Sequence, residues 1–311
     1  MRVTNKMMNS TLLLNLNRGL SRLERINNQL GTKKKINAPS DDPVKAGLIL
    51  RTRSSIKETE QYIRNIDAAI SWLDASDVVL QDVISVIHRA KELAVNGAST
   101  HLDPTARQAL ADEVAQLHDN LLQLANSTHG GRYIFAGQHT DTKPFDGGGV
   151  TDGKINDVSF LGEVGKTLPP EERSLEFEIA VGVTMAVNVD AFADDGSEIL
   201  FTPVFQALQQ LYGQLVDHPD YAGAEPIGAL DAALDGVLQH VSELGGKQNR
   251  VELAQERLLD LQLNLTKILS EEQDLDYAEA IMELKMEEFA YRTALAVGAR
   301  IIQPSLVDFL R

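Results

Sequence analysis

Three stretches of the chain, 1–38, 44–103 and 227–303, contain no proline and carry apolar residues at heptad spacing. Between residues 13 and 30, Leu13, Leu16, Leu20, Leu23, Asn27 and Leu30 step alternately by three and four, with Asn27 the one polar position. Near the other end, Ile281, Leu284, Tyr291, Leu295 and Ile302 fall on one seven-residue frame, with Glu288 and Gly298 at the two remaining positions. Such a stripe predicts a helix that must be covered, because a lone helix has no second surface for its apolar face. Two uncovered stripes at opposite ends of one chain predict that the ends pair.

Charge favours the same pairing. Residues 1–64 carry thirteen Lys/Arg against five Asp/Glu, whereas 251–311 carry six against twelve. The net charge of −16 argues against nucleic acid or an anionic membrane surface as partner of the whole molecule. No apolar run reaches the roughly eighteen residues of a membrane span. The polar asparagines in MRVTNKMMNSTLLLNLNRG leave no clean apolar core, so no cleaved signal peptide is expected. Cysteine is absent, which removes disulfides, zinc–thiolate sites and thiol nucleophiles.

In chain order, the first helix is expected to close at Gly31 as its C-cap. Lys33, Lys34 and Lys35 follow as a solvated loop. Asp41 and Asp42 before Pro43 are a helix start, with side-chain caps and a first-turn proline. The second helix carries Ile56, Ile63, Ile66, Ile70, Leu73, Leu80, Ile84, Ile87 and Ala94 on one frame, and is expected to run for about forty residues. A third runs from about Thr105 to His129. After Gly130 the texture becomes turn-rich, and from Leu175 to Ala191 apolar residues alternate strictly, predicting strands with a bend near Gly182. Thr202-Pro203 opens another helix with Val204, Leu208, Leu211 and Leu215 as its stripe. Val251, Ala254, Leu258, Leu261, Leu265 and Ile268 begin a last frame that continues toward Leu275 and Met282. The predicted fold is mainly α, a long-helix coiled-coil rod built from both termini with an inserted β-rich outer domain. Its expected divisions are a core segment 1–38, an inner domain 39–131, the outer domain 132–200, returning helices 201–270 and a second core segment 271–311.

Catalytic chemistry finds little support. The string Gly162-Glu-Val-Gly165-Lys166-Thr167 has two residues between its glycines where a phosphate loop needs four, and its strand follows rather than precedes it. The seven histidines show no i, i+4 pair with an acidic partner, so no metal site is expected. No cofactor and no enzymatic activity are expected.

Six strings, in order, point elsewhere. They are Ile36-Asn37-Ala38-Pro39-Ser40-Asp41-Asp42-Pro43 with Tyr62 to Asn65 and Ile66, Ala90 to Ala94, Leu124-Ala125-Asn126, Gly131-Arg132-Tyr133-Ile134-Phe135-Ala136-Gly137 with Pro144 and Phe145, Gly246 to Asn249 and Arg250, and Ser305-Leu306 through Leu310. Together they resemble the flagellin-like axial proteins of bacterial flagella, most closely the members that form the hook–filament junction. The resemblance implies a structural subunit, with termini paired in the axial core and the β-rich insertion facing outward. It implies as partners an adjacent hook-associated protein, flagellin, further copies in a helical ring, and an export chaperone on the C-terminal helix. It also implies an extracellular location reached by type III export. A filament subunit with a short outer domain is the alternative that the same ends allow.

Overall fold

The computed structural model describes residues 5–98, 103–151, 154–160, 174–189, 200–217 and 224–302. Six helices stand among them: α1 Asn5–Thr32, α2 Pro43–Gly97, α3 Pro104–Ala125, α4 Thr202–Asp217, α5 Ala224–Gln273 and α6 Tyr277–Ile302. Between α3 and α4 lie four antiparallel two-stranded pairings. β1 (Thr128–His129) pairs with β2 (Arg132–Tyr133), and β3 (Phe145–Gly147) pairs with β6 (Val158–Phe160). Nested inside the second pair, β4 (Val150–Thr151) meets β5 (Lys154–Ile155), while β7 (Glu176–Ala180) meets β8 (Val183–Ala186). The architecture is therefore mainly helical with a β-containing insertion, as the periodicities predict.

The chain divides into two compact units, Met1–Thr59 with Asp260–Arg311, and Glu60–Leu259. These divisions fall inside α2 and α5, because they follow changes of packing. The texture of the sequence instead marks changes of element type, at 38/39, 131/132, 200/201 and 270/271.

Glu60–Leu259 holds the large hydrophobic core. Within it α2 is buried along three heptad columns. Ile66, Leu73, Leu80, Ile87 and Ala94 form the first, Ala69, Ser76, Val83 and Ala90 the second, and Trp72, Val79, Val86 and Leu93 the third. Three columns make a face wide enough for a globular core, not the two-column seam of a coiled coil. Ile63, Ile70 and Ile84 of the expected frame are only half-buried, since the second column belongs to small residues. On α5, Leu230, Val237, Leu244, Val251 and Leu258 are one buried column. α2 and α5 run antiparallel, with Gln248 Nε2 donating to Asp74 Oδ1 at 2.8 Å and Gln255 Nε2 to Asp67 Oδ1 at 2.7 Å. Val204, Leu208, Leu211 and Leu215 are all buried on α4, as expected.

Three expectations need correction. Gly31 does not cap α1. The helix continues to Thr32, and Lys33 takes the left-handed conformation with φ 62°. α3 ends at Ala125 rather than His129, because Asn126 turns out of the helix and uses its amide on Phe145. The frame after Val251 is not one helix. Asp276 Oδ1 accepts from the amides of Ala278 and Glu279 at 2.8 and 3.3 Å, starting α6 anew. Lys33–Lys35 is a loop with Lys33 and Lys35 exposed, as expected, and its main chain is tied by an antiparallel bridge between Lys34 and Asp274. Lys35 N donates to Gln273 O at 2.8 Å, and Leu275 N donates to Lys33 O at 3.3 Å. The expected turn at Gly182 is present with φ 68°, and it splits the alternating run into the hairpin β7–β8. The end of that run, Asp190 and Ala191, lies outside the described residues, as do Lys166 and Thr167.

Candidate assembly surfaces

The first unit brings the two ends of the chain together, with α1 packed antiparallel on α6. Three contacts set the register. Arg22 Nε and Nη2 donate to the two carboxylate oxygens of Glu287 at 2.7 and 3.1 Å. A side-chain carbon at Gly19 would lie 3.4 Å from Tyr291 Cδ2, and one at Gly298 would lie 2.7 Å from Leu12 Cδ2. Each helix thus offers a glycine where the other brings a large side chain. The same register places Leu16 level with Ala294, Ile26 level with Leu284 and Leu30 level with Ala280. Ile26 and Ala280 are buried at 3% and 4% exposure.

The seam between the ends is therefore 12, 16, 19, 23, 26 and 30 against 280, 284, 287, 291, 294 and 298. It shares Leu16, Leu23, Leu30, Leu284, Tyr291 and Gly298 with the stripes read from sequence. The stripe residues that it leaves out stand in the open. Leu13 is 59% exposed, Leu20 51%, Ile281 50% and Leu295 45%. Met282, Met286, Phe289 and Val297 of α6 are exposed beside them. Ile302 ends α6, and Ser305 and Leu306 lie outside the described residues.

Packing at Gly298 makes a direct prediction. Alanine there gains roughly 1 kcal/mol of helix propensity over glycine, and the terminal methyl of Leu12 can swing aside, so Gly298→Ala should be close to neutral. Gly298→Leu forces a whole side chain into the seam. It should destabilise the α1–α6 pair by about 1–3 kcal/mol, read as loss of helical circular dichroism at lower temperature than in the wild type.

The remaining motif residues turn out to be structural. Asp41 Oδ2 accepts from the amides of Asn37 and Ala38 at 3.1 and 3.0 Å. Those amides, with the charge of Arg25, hold its carboxyl below the usual range. Asp42 Oδ1 caps α2 through Val44 N and Lys45 N, both at 3.0 Å, and Pro43 is the first helical residue. Asn65 Nδ2 donates to Glu178 O at 2.9 Å, tying β7 to α2. Gly131 and Gly137 take φ of 80° and 65°, which lets the chain turn at both ends of the Tyr133–Ala136 string. Tyr133 N donates to Thr140 O at 2.7 Å. Phe135 and Phe145 are buried in an aromatic cluster, with ring centroids 4.8 and 5.3 Å from that of Phe201. Pro144 is buried beside Phe145, and Asn249 is exposed on α5. The residues that sequence reasoning missed are the small ones Gly19 and Ala280, together with the Arg22–Glu287 pair.

Among the described residues no group of three His, Asp or Glu could hold a metal, and no helix is long and apolar enough to cross a membrane. The groove lined by Leu14, Asn17, Arg18, Ser21 and Arg22 is an open furrow on α1. What the first unit does present is apolar surface. Among the described residues its buried apolar side chains are Ile26, Ala46, Ile49 and Ala280, whereas seventeen of its large apolar side chains are exposed, against nine in the other unit. An isolated fold rarely leaves so much uncovered on so small a core.

The chain matches two family models, the bacterial flagellin N-terminal helical region over residues 3–140 and the bacterial flagellin C-terminal helical region over residues 227–310. It is 28% identical over 279 residues to flagellar hook-associated protein 3 of Escherichia coli, covering 86% of each chain. Flagellin A of Vibrio anguillarum is 24% identical over 352 residues, covering 93% of each. A solved structure of flagellar hook-associated protein 3 from Legionella pneumophila superposes with a TM-score of 0.56 at 16% identity, over 73% of this chain and 99% of that one. At that identity the superposition speaks for the fold alone. Both helical ends, the order of the motif strings and the fold agree: the chain belongs to the flagellin family of bacterial flagellar axial proteins.

Proposed function

We propose that this protein is the structural subunit that joins hook to filament in the bacterial flagellum, assembling as a ring of copies between an adjacent hook-associated protein and flagellin. The observation that carries the reading is the unfinished first unit, whose paired ends α1 and α6 leave Leu13, Leu20, Ile281 and Leu295 uncovered in the single chain. Burial of such faces in an assembly stabilises by about 25 cal/mol per Å² of apolar area removed from water. Neighbouring subunits supply the cover. The likeness to hook-associated protein 3 of Escherichia coli supports the junction position.

Before assembly the same faces need protection, and an export chaperone on α6 meets that need at Met282, Met286 and Phe289. The location that follows is extracellular, on the flagellum, reached by type III export. The role is mechanical, with no catalysis.

The likeness to Flagellin A favours the one alternative, a filament subunit. The two readings separate in a polymerisation assay with purified monomer. A junction subunit does not extend into long filaments by itself, and cells lacking it shed flagellin into the medium. Self-propagation into long filaments would establish the filament subunit instead.

A further inference from the structure

His118 on α3 is fully buried, and neither ring nitrogen has a hydrogen-bond partner. Its ring meets Phe205 of α4 edge-on, with centroids 5.1 Å apart. On its other side lies the turn between β3 and β4, where a side-chain carbon at Gly148 would come within 3.8 Å of His118 Cε1. The next residue, Asp119, is half exposed. Its Oδ1 accepts the Gly149 amide at 3.1 Å and stands 3.9 Å from His118 Nδ1, too far for a hydrogen bond. One carboxylate oxygen thus stands near both the Gly149 amide and a ring nitrogen of His118, and only the ring can acquire a charge.

Other charged groups around the ring are engaged elsewhere or distant. α4 carries none before Asp217. In the β3–β6 segment, Asp146 pairs with Lys143, Asp157 accepts from Gln209, and Lys154 points to solvent. On α3, Asp112 accepts from Gln108 and Glu113 pairs with Arg89 of α2, which also holds Glu92. Among the described residues, Asp119 is the acceptor left for a charged His118.

We propose that His118 and Asp119 form an acid-sensitive latch on the glycine turn 147–149. While His118 is neutral, Asp119 holds the Gly149 amide. When His118 takes a proton, the carboxylate swings to the imidazolium and the turn is released. A charge in a pocket walled by Phe205 and Leu122 is costly unless a counter-ion reaches it, and Asp119 is one residue away. The turn's other ties are the pairing of Gly147 with Val158 at the end of the β3–β6 ladder and the bonds that Asn156 makes, N to Gly149 O at 2.9 Å and Nδ2 to Gly148 O at 3.2 Å. Gly147, Gly148 and Gly149 all have positive φ, so the freed turn can reshape without side-chain strain.

Burial pushes the His118 pKa below the ordinary 6.5, while the Asp119 carboxylate pulls partly back. With the folded value below the unfolded one, the stability tied to this group is complete above 6.5. It is lost as pH falls through the folded value. The test is amide exchange and histidine-ring NMR of the full chain between pH 7.5 and about 4.5. Once the ring titrates, the Gly149 amide, corrected for intrinsic exchange, should lose protection by about tenfold per pH unit, while Gly182 in the other hairpin does not. His118→Gln should abolish that loss. So should Asp119→Asn, whose half-exposed site tolerates the change and whose amide still accepts from Gly149 without attracting a cation. If Gly149 protection is flat in the wild type, or falls equally in Asp119→Asn, the latch is overturned. A His118 ring that titrates at its ordinary value with no change at Gly149 overturns it as well.

Discussion

Replacing Phe145 with alanine is expected to cost the Glu60–Leu259 unit about 3–5 kcal/mol, the range for truncating a buried aromatic side chain. Phe145 is 1% exposed and touches three other rings, with centroids 5.2 Å from Phe160, 5.3 Å from Phe201 and 6.0 Å from Phe205. Its backbone is also gripped from α3. Asn126 Oδ1 accepts Phe145 N at 3.0 Å, and Asn126 Nδ2 donates to Phe145 O at 3.1 Å. The side chain cannot be replaced by a neighbour moving in, because the strand carrying it is held at the main chain, so the cavity persists. Trp72, the sole tryptophan of the chain, is 6% exposed in the same unit and reports its unfolding by fluorescence. Denaturant curves read at Trp72 should shift to lower midpoint with unchanged slope. A loss under about 1 kcal/mol would mean that the cluster is not a cohesive part of the core.

The second large effect falls on assembly and spares the fold. Leu20→Asp and Leu295→Asp alter side chains that are half in solvent in the single chain, so each should change chain stability by no more than about 0.5 kcal/mol. On the proposed function the same positions are covered by neighbouring copies, and an unpaired carboxylate buried there costs several kcal/mol at every interface. Both variants should therefore be exported and folded yet missing from purified flagella, with motility lost. Ile26→Asp is the contrasting control. Ile26 is buried between α1 and α6, so a charge there disrupts the pair inside the chain and lowers helical content before assembly. Normal motility in Leu20→Asp and Leu295→Asp together would remove these faces from the interface.

Much of this fold is legible in the sequence, because long proline-free heptad tracts admit few alternatives. α2, α4 and the hairpin turn at Gly182 follow from periodicity and turn chemistry, and the capping of α2 by Asp42 follows from the Asp-Pro start. The part that is not legible has a common cause. Counting large apolar residues finds Leu13, Leu20, Ile281 and Leu295, yet helices approach most closely where side chains are small. Gly19, Ala280 and Gly298 therefore carry the seam, as Ala69, Ser76 and Ala90 carry a column of α2, and of these only Gly298 falls on a stripe position read from sequence. The exposed leucines were read as part of that same seam, though in the single chain they flank it.

The break before α6 did leave a signal, since Asp276 with Glu279 three residues later is a capping-box spacing. It was hidden by an apolar frame that continues across the gap through Leu275 and Met282. No signal marks Lys33, because a lysine in the left-handed region is held there by the bridge to residues 273–275, a contact between segments far apart in the chain. Within the Tyr133–Gly137 string and Pro144-Phe145, it is Ile134, Phe135 and Phe145 that pack into the core. These residues are part of the core on which the insertion stands.

Labelling isolated flagella with antibody against this protein, viewed by electron microscopy, decides the matter most directly. A junction subunit predicts one short labelled band where hook meets filament, with the filament beyond it unlabelled. Label along the whole filament, or none on the flagellum, would contradict that position.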